Sequence, residues 1–123
     1  MKSLGEAGER LAEKKYLSLG YKLLERNYFF PKGVQVGEID LIFQKNSELV
    51  FVEVKTRRNE KFGGPFESVD LGKQRRLIKT AKLYLHLHPK YQKYSYRIDV
   101  VAVDIDNPAD PVIILENAVE DLD

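Results

Sequence analysis

Gly37-Glu38-Ile39-Asp40-Leu41-Ile42-Phe43 and Val50-Phe51-Val52-Glu53-Val54-Lys55 flank the polar stretch Gln44-Lys45-Asn46-Ser47-Glu48. Two apolar runs broken only by charged residues, on either side of a turn-forming segment, read as a β-hairpin. A two-residue turn at Asn46-Ser47, which the Asn favours, puts Asp40 opposite Glu53 and Glu38 opposite Lys55. Directly opposed residues have β-carbons roughly 5 Å apart, and like charges there are destabilising. Two carboxylates together in the most apolar strands call for a cation between them. Mg²⁺ suits the task, since one or two carboxylates and substrate phosphate oxygens commonly hold it. The pleat puts Glu53 and Lys55 on one face, and a carboxylate pair beside an ammonium is equipment for metal-assisted phosphodiester hydrolysis. The competing reading is an ordinary solvent-facing hairpin. Against it, Val50, Val52 and Val54 take one face while Leu49 and Phe51 share the other with Glu53. Both faces therefore expect cover, as in an interior strand with helices packed on it.

Working outward, Ser3-Leu4-Gly5-Glu6 reads as a capping box opening a helix to about Leu19, with Gly20 as its stop. Its apolar stripe is Leu4, Gly8, Leu11, Ala12 and Leu19. A strand follows near 21–30 and ends at Pro31-Lys32-Gly33; the hairpin strands fall near 36–45 and 48–57. Gly63-Gly64-Pro65 marks 58–69 as a loop. A second helix runs from about Asp70 to His88, before Pro89. Strands near 96–105 and 111–116 complete the chain. Leu71, Gln74, Leu77, Ile78, Ala81, Tyr84 and Leu85 share one arc of the second helix, and Arg75, Arg76, Lys79 and Lys82 the opposite one. Leu83 and Leu87 intrude on the polar arc, where they offer a homodimer or partner contact or are simply exposed leucines. Patterning alone gives α/β or α+β.

The 123 residues suit one domain, with an acidic tail from about 117 to 123. A content of 32% charged and 43% hydrophobic residues is that of an ordinary globular protein. The chain has no cysteine, which excludes disulfides, Cys-based zinc sites and iron–sulfur clusters. His86 and His88 lie two apart on the second helix and point different ways, so neither a His metal site nor a His-based catalytic centre is expected. No apolar run approaches the roughly 20 residues of a membrane span, and no signal-peptide core is visible. A cytoplasmic location with no membrane association is the expectation. Net charge is only +1, but residues 71–98 hold eight Lys or Arg and no acid, while 99–123 hold eight Asp or Glu and no base. That asymmetry points to a basic surface with a role and an acidic tail that lowers the total, the other reading being two solvated segments that happen to differ.

Asp, a spacer and Glu-X-Lys at the end of an apolar strand resemble the PD-(D/E)XK nuclease superfamily, which includes restriction enzymes and archaeal Holliday-junction resolvases. More closely, Gly8-Glu9, Gly37-Glu38-Ile39-Asp40-Leu41-Ile42, Val50 through Arg57, Phe62-Gly63, Lys73 and Arg97-Ile98-Asp99-Val100-Val101 are similar to the YraN-like family of small bacterial proteins. The likeness spans residues 5 to about 104. One departure is Ile39, where the superfamily's eponymous Pro would stand. The resemblance implies a restriction endonuclease-like αβββαβ core, a mixed central sheet flanked by helices. It implies Mg²⁺ as cofactor, with Mn²⁺ able to substitute, held by Asp40, Glu53, the Val54 carbonyl and Glu9. It makes Asp40, Glu53, Lys55 and Glu9 the catalytic residues, with Lys55 orienting or deprotonating the attacking water. It also points to Lys73 or Gln74 as a residue that reaches the active site. Of the two first-helix acids, Glu6 is explained by the capping box, which leaves Glu9. Arg57, Arg58 and Lys61 follow the motif and are placed to grip phosphates, as is the arc of Arg75, Arg76 and Lys79. Asp99 either supports the metal site or ends a buried segment, and the family likeness favours the first. Tyr91, Tyr94 and Tyr96 offer stacking surfaces to bases, or pack as core or strand edge. The expected function is Mg²⁺-dependent hydrolysis of DNA, on branched or structured substrates. The alternative is a nucleic-acid-binding module with the same fold and no cleavage.

Overall fold

A computed structural model of the chain describes residues 3–29, 37–58 and 69–120. Pro31-Lys32-Gly33, Lys61, Phe62, Gly63-Gly64-Pro65 and residues 121–123 of the acidic tail lie outside the described residues. Helix α1 (Leu4–Ser18) begins where the capping signal stands: the Ser3 hydroxyl accepts the Glu6 N–H at 3.2 Å. Gly20, just past its end, takes φ +92°, a left-handed conformation that costs glycine little. Strands β1 (Lys22–Phe29), β2 (Glu38–Lys45) and β3 (Glu48–Arg57) follow. Helix α2 (Leu71–Leu87) is capped by Asp70, and a short 3-10 turn at Pro89–Tyr91 leads into β4 (Ser95–Asp104) and β5 (Val112–Leu115).

The strands form one sheet in the order β1-β2-β3-β4-β5. Every neighbouring pair is antiparallel except β3 and β4, which run parallel with α2 as their crossover. A parallel pair needs a long connection of this kind. The architecture is thus the expected mixed sheet flanked by two helices, with αβββαβ as its core. The hairpin also keeps its expected register: Leu41 pairs with Val52, Ile42 with Phe51 and Lys45 with Glu48, across a turn in which Asn46 has φ +53°. That ladder ends at Leu41 and Val52, however. The expected Glu38–Lys55 opposition lies beyond that end and does not form, while Glu38 pairs with Phe29 on β1. The strands part at the level of Asp40, and the candidate site lies in that opening.

Each face of the sheet carries one helix. Ala12 and Tyr16 of α1 pack on Leu41, Phe43, Val50, Val52, Val101 and Val103. Leu77, Ala81 and Tyr84 of α2 pack on Ile42, Leu49, Phe51, Ile98 and Val100. Alternate residues of β3 thus go to opposite cores, as expected for an interior strand. Gly8 lets α1 approach β3 closely, for a β-carbon there would overlap the Thr56 hydroxyl. The helix stripes differ from the expected ones at their ends. Leu4, Leu19 and Leu71 are exposed, at or just past the helix ends. On α2 the polar Thr80 is buried instead, its hydroxyl within hydrogen-bonding distance of the Gly37 and Arg76 carbonyls at 3.0 and 2.8 Å. Tyr91, Tyr94 and Tyr96 serve packing: Tyr91 stacks on Tyr84, Tyr94 meets Tyr91 edge-on, and Tyr96 meets Phe51 edge-on. His88 stacks on Tyr84 at 3.9 Å, a structural position. Among the described residues no helix is long and apolar enough to cross a membrane.

Candidate active site

A cavity of about 200 Å³ occupies the opening between β2 and β3, lined by Gly37, Glu38, Asp40, Glu53, Lys73, Arg76 and Leu77. Where the ladder stops, the Val54 N–H loses its backbone partner and donates to Asp40 Oδ2 at 2.7 Å. A residue paired this way directs its N–H and C=O to the same neighbour, so the Val54 carbonyl is aimed to the Asp40 side. Burial pushes the Asp40 carboxyl up to about 8. Repulsion from Glu53 adds to this, as does a hydrogen bond to Glu53 that only a protonated carboxyl can make. Asp40 and Glu53 therefore meet as the hairpin register required.

Glu53 is 4% exposed, and its Oε2 lies 3.1 Å from the Lys73 ammonium. The contact is an ion pair between an ammonium and a buried carboxylate oxygen. Lys55 adjoins Lys73, and the two are driven apart in acidity. Burial, then the hydrogen bond to Lys73 and its charge, hold Lys55 below the usual lysine range. Burial acts the same way on Lys73, but its bond to Lys55 and the Glu53 carboxylate outweigh it and hold Lys73 above that range. Two titratable groups pushed in opposite directions by one environment are how a site separates a proton acceptor from a fixed charge.

Among the described residues no group of three or more His, Cys, Asp or Glu side chains is arranged to hold a metal ion. Two converging carboxylates and a carbonyl are hard oxygen donors, and Mg²⁺ needs no more than one or two carboxylates when phosphate oxygens and water complete its shell. The mutual repulsion of Asp40 and Glu53 fits a cation there.

Glu9 approaches from α1. Burial raises its carboxyl above the usual range; Arg10 opposes that, and Glu38 and Glu53 add to it. With its amide turned towards them, Asn27 donates to Glu9 Oε1 at 3.0 Å and to Glu38 Oε1 at 3.2 Å. Asn27, with φ +50°, sits between Arg26 and Tyr28, which pair with Leu41 and Ile39, and so ties the α1 carboxylate to the rim of the cavity. Nothing in the local sequence marked Asn27; a polar residue in a strand has many ordinary uses.

Residues 8–103 match the family described as Uncharacterised protein family UPF0102. The chain belongs to this family. It is 40% identical over 118 residues to a UPF0102 protein of Stutzerimonas stutzeri, covering 96% of this chain and 95% of that one. It is 42% identical over 106 residues to one of Caldicellulosiruptor bescii (86% of each chain) and 42% over 104 to one of Alkaliphilus metalliredigens (85% and 87%). The UPF0102 match takes in Glu9, Asp40, Glu53, Lys55 and Lys73 alike.

The other expected site residues scatter in this UPF0102 chain. Between the two candidates on α2, Lys73 enters the cavity, while the Gln74 amide donates to the Val69 carbonyl at 3.0 Å. Arg57 and Arg58 are exposed at the end of β3. Arg75, Arg76 and Lys79 are exposed on α2, with Arg76 at the cavity wall. Asp99 is not part of the site. It stands beside Val52, in the α1-side core, whereas Glu53 faces α2. There it accepts the Tyr16 hydroxyl at 2.7 Å, Arg97 Nε at 2.9 Å and the Asn117 N–H at 2.9 Å. A buried carboxylate so supplied with donors is a structural anchor. A larger cavity of about 370 Å³, lined by Tyr96, Arg97, Ile98, Asn117, Val119 and Glu120, opens near the start of β4. Its Arg97 is already engaged with Asp99, Glu48 and Tyr21.

Proposed function

We propose that this protein is a Mg²⁺-dependent nuclease that hydrolyses DNA phosphodiester bonds, in branched or otherwise structured DNA, on a fold of the PD-(D/E)XK type. The observation that carries the reading is the convergence of Asp40, Glu53, Lys55 and Lys73 where β2 and β3 part. Asp40, Glu53 and the Val54 carbonyl would hold the cation. Bound there, Mg²⁺ neutralises phosphate charge and lowers the pKa of its water. Lys55, held below the usual lysine range, orients the attacking water and takes its proton. Lys73, held positive, faces the phosphate oxygens from the opposite wall. Glu9 supports the site from α1 through Asn27 and Glu38. Arg57, Arg58, Arg75, Arg76 and Lys79 lie exposed, and contact the backbone on either side of the scissile bond.

The test is incubation with branched, single-stranded and duplex DNA in Mg²⁺, Mn²⁺ or EDTA. Cleavage of the branched substrate with either metal and none with EDTA is expected. Salt-sensitive binding without cleavage of any substrate would instead identify a binding module.

A further inference from the structure

Lys73 stands where a helix disfavours it. It lies in the first turn of α2, at the positive end of the helix dipole, in a turn with no acidic residue to offset it. Its backbone is fixed by the Asp70 cap, whose carboxylate accepts the Lys73 N–H at 2.8 Å. The helix thus gains nothing from the charge, and the side chain directs it across the cavity to Glu53 Oε2, at 3.1 Å. That oxygen belongs to a carboxylate that needs a counter-charge, because an uncompensated buried charge is strongly destabilising.

We propose, building on the metal site described above, that Lys73 is a resident counter-ion that competes with the divalent cation for Glu53 Oε2 and is released to the substrate phosphate when the cation loads. An ammonium and a divalent cation repel one another, so each weakens the other's hold on the same carboxylate. The Lys73 side chain is 30% exposed, so its flexible stem can swing outward along a wall that also carries Arg76. Phosphate capture is thereby coupled to metal loading. The ammonium turns to the substrate only after the carboxylates have their cation.

The test is calorimetric titration of the full chain with Mg²⁺, without DNA. Lys73→Gln removes the competitor and should bind roughly tenfold more tightly, since a unit charge a few ångströms from the cation is removed. Arg76→Gln removes a charge from the same cavity without touching Glu53 and should change affinity far less. Lys73→Arg keeps the competitor and should bind no more tightly than wild type. Lysine NMR gives a second reading on the unaltered protein: the Lys73 ammonium signal should shift during the Mg²⁺ titration as its ion pair opens. Affinity of Lys73→Gln equal to wild type, or no tighter than Arg76→Gln, would overturn the competition while leaving the metal site standing. An unmoved Lys73 signal during Mg²⁺ binding would do the same. Absence of Mg²⁺ binding in every protein would overturn both.

Discussion

Asp40 is a carboxyl with an ordinary value near 3.8, held by burial and by Glu53 at about 8. Between those two values the folded chain keeps a proton that the unfolded chain has lost. Its contribution is therefore largest below pH 4 and declines as pH rises to about 8. Asp40→Asn keeps the acceptor for the Val54 N–H and removes the charge. In EDTA at pH 8 the variant should be more stable than wild type by about 1–2 kcal/mol, with a flatter pH dependence of stability. Adding Mg²⁺ should raise the melting temperature of wild type and leave the variant nearly unmoved. Thermal melts across pH with EDTA and with Mg²⁺ check both statements. A variant that melts lower in EDTA would mean that Asp40 has a structural partner worth more than its repulsion. Lys55 offers a separate test. If it acts by accepting a proton, charge is not what matters, and Lys55→Arg should lose roughly 10²–10⁴-fold in cleavage rate. Wild-type cleavage should rise with pH as Lys55 deprotonates, and a pH–rate profile measures it.

At the level of elements, the close approach of α1 to β3 and the exposed arc of α2 carry the next expectations. Gly8→Ala drives a methyl group into Thr56, and overpacking of that kind costs about 1–3 kcal/mol. Because Glu9 follows directly, the variant should also lose cleavage beyond what its stability loss explains, as denaturant melts and rates on folded protein would show. Replacing Arg75, Arg76 and Lys79 with Gln should weaken binding to all DNA sequences alike. The salt slope should flatten by about one unit for each phosphate left without its cationic partner. An unchanged slope would show that the arc is merely solvated.

The hairpin was readable from sequence because a two-residue turn fixes register, and register fixes which side chains meet. The two-core assignment of β3 was readable for the same reason. Asp99 was not: parity gave its face, but only the packed structure brings the Tyr16 hydroxyl and the Asn117 N–H to it. Helical spacing likewise gives the direction of each stripe and not how far along it the packing extends, so it does not reveal that Leu4, Leu19 and Leu71 are exposed. Asn27 and Thr80 escaped because each is a polar residue satisfied by distant backbone or carboxylate groups.

Across the whole molecule, the strong acid–base asymmetry of the sequence falls on different parts of the fold. The basic arc belongs to α2, beside the cavity, while Asp106 and Asp110 are exposed in the turn between β4 and β5. The side that would meet DNA is therefore positive although net charge is only +1. If phosphate contacts supply affinity and the cavity supplies rate, as proposed, the two should be separable by substitution. The most direct measurement is single-turnover cleavage of a branched DNA in Mg²⁺ by wild type, Glu53→Ala and Lys55→Ala, with binding measured on the same samples. Both variants should bind DNA within a few-fold of wild type and cut at least about 10²-fold more slowly. Cleavage by Glu53→Ala at the wild-type rate would contradict a catalytic cation held between Asp40 and Glu53.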